Sequence, residues 1–196
     1  MVRASDSDRS DEALMADVAV GQLDAFEILV TRHQNRVYRM ALQMLANEED
    51  AWDVSQEIFI KIYHARESYT EEAKFTTWLY RIANNAVIDR IRQLKRQSRF
   101  QSLEDSVSEP MSDTADALRE LAVTEMGERM SAALMDLSER QRGMVIMKYY
   151  EGFSVKEIAD VFECADGTVK ATLFQAIRNL RDRLGELGVF NAEVVS

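Results

Sequence analysis

The sequence predicts an all-α fold in which two small helical domains are joined by an acidic flexible linker, the second domain containing a helix-turn-helix. One proline and seven glycines in 196 residues are too few for the many turns of a sheet protein. Apolar residues recur at helical spacing, except across an acidic segment that holds the only proline. The single cysteine, Cys164, excludes a disulfide framework, and no apolar run is long enough to predict a membrane span.

The predicted domain boundaries follow these changes in pattern. We expect an N-terminal extension with a short helix over 1–23, a helical domain over 24–99, the acidic linker over 100–117, a second helical domain over 118–186 and a tail over 187–196. The first thirteen residues are acidic and polar, whereas a signal peptide would be basic and then apolar. We therefore expect a cytoplasmic protein.

Three helices are predicted in the first domain and four helical pieces in the second. The first helix begins at Asp24, whose carboxylate can cap it while Glu27 reaches back, and it ends near Asn47. The next two helices cover about 49–64 and 75–99. The second domain is expected to be helical near 118–136, 138–150, 154–162 and 166–186.

Charge is distributed unevenly along the chain. The net charge of −10 argues against nucleic-acid binding when the chain is taken whole. Residues 74–99, however, hold seven basic residues against the single acid Asp89, whereas residues 101–139 hold ten acids against two basic residues. This segregation predicts a basic surface beside an acidic connector.

The basic surface is predicted on the third helix. A helical wheel places its apolar residues on one side and Trp78 at the head of a basic stripe on the other. An aromatic followed by arginines and amides suits phosphate neutralisation and stacking on unpaired bases. In the alternative, Trp78 packs on a neighbouring helix and the arginines only keep the surface soluble. The candidate nucleic-acid contacts are Lys74, Trp78, Arg81, Asn84, Asn85, Arg92 and Arg96.

The second helix carries a different outer face, made of Asp53, Gln56, Glu57 and Ile60. An apolar residue ringed by acidic and polar groups predicts a protein interface, although these acids could equally form an ordinary solvated face. No nucleophile, base or glycine-rich loop accompanies them, so no catalytic residue, metal site or cofactor is predicted. His33 and His64 stand singly on separate helices and are interpreted as structural or surface residues.

Residues 154–178 read as a helix-turn-helix. Ser154 and Glu157 form a capping box, 163–165 form a short turn, and Asp166 can cap the second helix. The spacing also favours the motif, because the small Ala159 stands ten residues before the apolar Val169. The alternative is a plain helical hairpin with a solvated outer face. Candidate DNA contacts on and beside the outward face are Thr168, Lys170, Ala171, Thr172, Phe174, Gln175 and Arg178.

Taken in this order, the three features resemble the extracytoplasmic-function (ECF) sigma factors of the sigma-70 superfamily. Residues 51–60 (AWDVSQEIFI) resemble the helix that binds the clamp of the largest subunit of core RNA polymerase. Residues 75–92, with FTTWLYRIANN at their start, are similar to the segment that melts and reads the −10 element. Residues 137–142 (LSERQR) and 167–170 (GTVK) resemble the domain that reads the −35 element.

The resemblance implies an initiation factor that binds core RNA polymerase and promoter DNA, is held by an anti-sigma factor and does not insert into a membrane. The chain departs from the family pattern at Thr172 and Gln175, where basic residues are usual, and at Ala165, where proline is frequent. The acidic linker is expected to stay extended and to thread a basic polymerase channel. Two alternatives are a free-standing helix-turn-helix regulator and a helical adaptor that mimics a sigma factor.

Overall fold

The computed structural model describes residues 9–70, 74–101 and 119–186, and side chains are described in these ranges except at 99–101 and 119–125. Every regular element in these ranges is helical, as the composition predicted. The helices are α1 (Asp11–Ala19), α2 (Leu23–Leu45), α3 (Glu48–His64), α4 (Phe75–Gln101), α5 (Arg119–Met135), α6 (Glu139–Val145), α7 (Val155–Val161) and α8 (Asp166–Glu186). Residues 102–117 of the predicted linker and the tail 187–196 lie outside the described residues.

The first half is built by α2, α3 and α4, and α1 completes its core. Leu14, Met15 and Val18 of α1 are fully buried, because α1 packs against α2 and α4. The start of α1 is also fixed to α2, since Asp11 Oδ2 lies 2.7 Å from Nε2 of the buried His33. The segment predicted as an extension is therefore packed into the first half over α1.

The predicted start of α2 needs a correction. The N-cap position is Gln22, which makes no side-chain cap hydrogen bond, and Asp24 lies inside the first turn. A carboxylate in the first turn is still favourable, because it faces the positive end of the helix dipole. The helix ends where Ala46 adopts a left-handed φ of 52°, and Asn47 then caps α3 by accepting from the Asp50 amide at 2.9 Å.

In the second half, the predicted helix near 138–150 has two parts. Ser138 and Gln141 form a capping box at the start of α6. The backbone then changes from α-helical to π-helical over Ile146–Tyr150, which is followed by Gly152 at a positive φ of 76°. Helices α7 and α8 pack against each other, and α8 also packs on α5 and α6.

The two halves share one continuous hydrophobic cluster. Arg142 of α6 is buried between them, and it donates to the carbonyl oxygens of Leu134 at 2.9 Å and of Met44 in the first half. Gly143 permits the close approach, since a Cβ there would lie 3.1 Å from Oδ1 of Asn84 and 2.9 Å from Cζ of Phe162. Within the described ranges, no helix combines the length and apolar character needed to cross a membrane.

Candidate functional site

Lys74, just before α4, and most basic residues of α4 lie along one face, and Lys74, Arg81 and Lys95 meet acids of the second half. Arg90 lies on the other side of the helix and binds Asp50 of α3. Lys74 Nζ donates to Oε1 of Glu157 at 2.7 Å, and Arg81 lies 3.6 Å from Oε1 of Glu163. Further along α4, Lys95 pairs with Glu139. Beyond these contacts, Arg92 is exposed and lies 3.3 Å from Asp89 of its own helix, and Arg96 is exposed. The face can therefore bind anions, but part of it is already paired with carboxylates.

Glu157 accepts both from Lys74 and from its own helix cap. The ammonium of Lys74, followed by the amide and hydroxyl of Ser154, lowers the pKa of Glu157 to about 2. Glu157 therefore has two roles: it closes the capping box of α7 from the Ser154 amide at 2.9 Å, and it carries the ion pair to α4. The carboxylate stays ionised throughout the physiological pH range.

The predicted outward position of Trp78 is wrong. Its residue is only 7% exposed, and its ring centroid lies 5.3 Å from that of Tyr69 and 6.1 Å from that of Phe75. The wheel assumed one buried side, whereas α4 is covered by α2 and α3 on one side, by α1 near its start and by α7 elsewhere. In this conformation Trp78 is packed rather than exposed, as in the alternative interpretation, although the rings beside it belong to the segment before α4 and to α4 itself.

The neighbouring amides Asn84 and Asn85 differ from each other in exposure. Asn85 is exposed, as expected, but Asn84 is 3% exposed and lies where α4 meets Gly143 of the second half. The Oδ1 atom of Asn84 is buried without a hydrogen-bond partner. A buried amide oxygen without a partner is costly, so the contact that covers Asn84 is not optimised for this side chain.

The outer face of α3 is exposed as predicted and extends further than predicted. Ile60 is 57% exposed, Gln56 is exposed, and Glu57 pairs with Lys61 at 2.8 Å. Asp53 lies 3.8 Å from Nη2 of Arg90. The acids around Ile60 are therefore partly neutralised from the same domain, and the isoleucine stays open to solvent.

An apolar groove beside Ile60 was missed by the sequence interpretation. It runs between α2 and α3 and includes Trp52, which is 59% exposed and meets Tyr38 edge-on at 6.1 Å. Trp52 was not among the residues predicted for the outer face of α3. A large exposed tryptophan next to an exposed isoleucine is the kind of surface that anchors protein interfaces.

The helix-turn-helix geometry is present in the second half. The buried Ala159 and Val169 lie on α7 and α8 respectively, as the ten-residue spacing requires. Glu163 takes a left-handed φ of 48°, and the Cys164 amide donates to the Ala159 carbonyl at 3.0 Å, which completes a Schellman-type helix end. Asp166 is the first residue of α8 rather than the residue before it, so its predicted capping position is off by one.

The predicted recognition face of α8 is open to solvent. Phe174 is 73% exposed, and Gln175 donates from Nε2 to Oδ1 of Asn179 at 2.9 Å, which aligns its amide along the helix. Six of the seven predicted residues are exposed and Thr172 is half-buried: the exposed ones are Thr168, Lys170, Ala171, Phe174, Gln175 and Arg178. The face thus offers one amide, two cations, one phenyl ring and the methyl groups of Thr168 and Ala171.

Both halves of the chain match known protein families. Residues 29–97 match the family described as Sigma-70 region 2, and residues 127–180 match the family described as Sigma-70, region 4. The ECF RNA polymerase sigma factor SigW of Bacillus subtilis is 33% identical over 177 residues, covering 87% of this chain and 94% of SigW. The ECF RNA polymerase sigma-E factor of Haemophilus influenzae is 33% identical over 188 residues, covering 91% of this chain and 97% of that protein.

Solved structures show the same arrangement of helices. CnrH in complex with the cytosolic domain of CnrY superposes with a TM-score of 0.70 at 24% identity, covering 91% of this chain and 99% of that chain. RpoE from Bartonella quintana, in complex with the anti-sigma factor NepR, gives a TM-score of 0.65 at 21% identity over 82% of this chain and 96% of that chain. These likenesses establish a shared fold.

Proposed function

This chain belongs to the extracytoplasmic-function sigma factors of the sigma-70 family, and we propose which of its surfaces binds polymerase and which bind the two promoter elements. As an alternative sigma factor it directs RNA polymerase to start transcription. The observation that carries the proposal is the coexistence, on one chain, of an exposed apolar α3 surface in the first half and an open recognition face on α8 in the second.

We propose that the α3 surface, defined as Asp53, Gln56, Glu57 and Ile60, binds the clamp of the largest subunit of core polymerase. Trp52 extends this surface in the groove between α2 and α3. The chemistry fits a partner whose helix offers basic groups around an apolar pocket, since Ile60 would be the buried anchor and the acids would pair at the rim.

We propose that the −10 strand lies along the basic face of α4. Lys74, Arg81, Arg92 and Arg96 supply cations for phosphates, and Asn85 supplies an amide for a base. Trp78 and Asn84 are not assigned to this face as direct contacts, since both are buried in the conformation described here.

We propose that α8 reads the −35 element. Gln175 is suited to bidentate contact with adenine, and the methyl groups of Thr168, Ala171 and Thr172 can touch a thymine methyl, so an A·T pair is expected in this element. Phe174 adds apolar contact, and Lys170 and Arg178 contact phosphates.

The remaining proposals concern context. An anti-sigma factor is proposed to bind the chain, as NepR binds RpoE in the structure of that complex. The chain is proposed to act in the cytoplasm, where the polymerase works, and to leave the chemistry of RNA synthesis to the polymerase.

Reconstitution with core polymerase tests the central proposal. Wild-type chain should support promoter-dependent transcription, and Ile60→Asp should weaken polymerase binding by about 2 kcal/mol or more, because a charge replaces the buried anchor. Affinity is measured by fluorescence anisotropy of the labelled chain, with the fold checked by circular dichroism.

Val20→Asp is the matched control, because Val20 is an exposed aliphatic residue at the end of α1 and is not part of the α3 surface. It should leave polymerase affinity unchanged. Equal affinity of Ile60→Asp and wild type would remove the α3 surface as the polymerase site, and a chain that binds polymerase without supporting transcription would favour the helical adaptor.

A further inference from the structure

Glu151 is buried at the contact between the two halves. Its side chain is 6% exposed, and Oε2 accepts from Nε of Arg36 at 2.9 Å and from the hydroxyl of Tyr80 at 2.5 Å. Arg36 also donates from Nη2 to the Glu151 carbonyl oxygen at 3.1 Å. A carboxylate from the second half is thus held by two helices of the first half.

The surroundings of Glu151 exclude water on the side of Tyr80, whereas the Arg36 side chain is 40% exposed. Tyr80 is fully buried, and its ring centroid lies 4.8 Å from that of Phe153, which belongs to the second half. Burial, followed by the adjacent carboxylate, raises the pKa of Tyr80, so its hydroxyl remains a donor. A buried carboxylate with two donors is stable only while both stay in place, because removing one leaves charge without compensation.

Three further ion pairs between the two halves share the same polarity. Each base comes from α4 or from Lys74 just before it, and each acid comes from the second half: Lys74 with Glu157, Arg81 with Glu163, and Lys95 with Glu139. Such exposed pairs contribute little stability individually. Their common direction means that the second half presents carboxylates to the positions where phosphates would bind.

The contact therefore covers a surface with a second use. Lys74 and Arg81 are among the groups proposed above for the −10 strand, and Asn84 is buried by the same contact. A strand on α4 and the second half in its present position compete for these groups.

We infer that the second half closes over the nucleic-acid face of α4 and masks it, and that Glu151, clasped by Arg36 and Tyr80, is the latch that holds this closed state. The inference rests on the proposed function of the α4 face. Opening releases Lys74, Arg81 and Asn84 together, and nucleic acid or polymerase that engages the open form shifts the population toward it.

The latch is tested in the full chain by single-pair fluorescence energy transfer. In a Cys164→Ser background, dyes are attached at Glu67→Cys and Asp182→Cys, two exposed positions in different halves. The wild-type latch should give one narrow distance distribution. Glu151→Gln should add a longer-distance population, because Arg36 loses its buried counter-charge.

Asp160→Asn is the matched control, since it removes one acidic charge from an exposed position on α7. It should leave the distance distribution unchanged. Tyr80→Phe removes a single hydrogen bond and keeps the ring on Phe153, so it should shift the distribution in the same direction as Glu151→Gln but less. If circular dichroism shows that Glu151→Gln is unfolded, Tyr80→Phe decides the question.

A fluorescein-labelled strand of twelve deoxyadenosines tests the masking. Glu151→Gln should bind it about ten-fold more tightly than wild type if the closed state dominates, because apparent affinity scales with the open fraction. Asp160→Asn, with the same net charge, should bind like wild type.

The outcomes separate the latch from the proposed function. Identical distance distributions for wild type and folded latch variants would overturn the inference and leave reconstituted transcription unaffected. Opening without tighter binding would overturn the masking. If Arg92→Gln combined with Arg96→Gln then also fails to weaken binding by the opened chain, the proposed −10 face is wrong as well.

Discussion

A stability measurement can decide whether Trp78 is a packing residue or a residue that recognises DNA. Its ring is enclosed by Tyr69 and Phe75, so Trp78→Ala removes a buried aromatic side chain and leaves a cavity. We expect the free energy of unfolding to fall by about 3–5 kcal/mol. Urea unfolding of the full chain, followed by circular dichroism, measures this loss.

Asn85→Ala is the comparison for Trp78→Ala, because Asn85 lies exposed on the same helix. Its stability should stay within about 0.5 kcal/mol of wild type. Promoter melting, read by permanganate reactivity of thymines in the −10 element, should fall. A Trp78→Ala chain with wild-type stability that fails to melt the promoter would restore direct base contact by Trp78.

The residues that the sequence misplaced share one physical cause. Trp78 and Asn84 follow the 3.6-residue period onto the side opposite the main apolar stripe, and a wheel treats that side as solvent. Asn84 is covered by Gly143, which stands 59 residues later in the chain. The local pattern holds no information about such a distant partner. The exposure of Ile60 was predicted correctly because, among the described residues, no distant segment covers it.

At the scale of elements, prediction succeeds where the determinant is local. Ser154 and Glu157 are three residues apart, and their capping box forms as predicted. Asp24 and Asp166 were predicted at N-cap positions, but each lies inside the first turn of its helix. A carboxylate is favourable both at the N-cap and in the first turn, so the residue type alone does not distinguish the two positions. The π-helical turn at Ile146–Tyr150 has no signal in the apolar spacing.

The recognition helix α8 carries a prediction of its own. Gln175→Ala should cost about 1–3 kcal/mol at one base pair of the −35 element and relax the preference for A·T there. Binding of the polymerase complex to promoter duplexes with single base-pair changes measures the effect. Arg178→Ala, from the same face, should weaken all duplexes alike, and an unchanged preference in Gln175→Ala would exclude base reading by this amide.

At the scale of the whole molecule, charge limits what the chain can bind alone. The net charge is −10, and the open face of α8 offers only Lys170 and Arg178 as cations among its predicted contacts. We expect the free chain to bind promoter duplex weakly at physiological salt, because few counterions are released. A titration across a salt series measures this, and tight promoter-specific binding without polymerase would instead favour a free-standing regulator.

The arrangement of the two halves was beyond the reach of the sequence. Charge and composition predicted two helical units, and each forms helices where expected. Their docking depends on Arg142 reaching the Met44 carbonyl and on Glu151 reaching Arg36. Such contacts require surface shapes that exist only after each half has folded, so periodicity cannot predict them.

The chain has two tryptophans, and the structure gives them opposite environments. Trp52 is open to solvent in the groove beside Ile60, and Trp78 is enclosed among aromatic rings. The intrinsic fluorescence of the protein is therefore a sum of two separable signals. We expect the emission of Trp52 to be red-shifted, accessible to iodide and sensitive to a partner bound beside Ile60. The emission of the shielded Trp78 should be blue-shifted and should report the integrity of the first half. Spectroscopy without any attached dye can thus distinguish binding from unfolding.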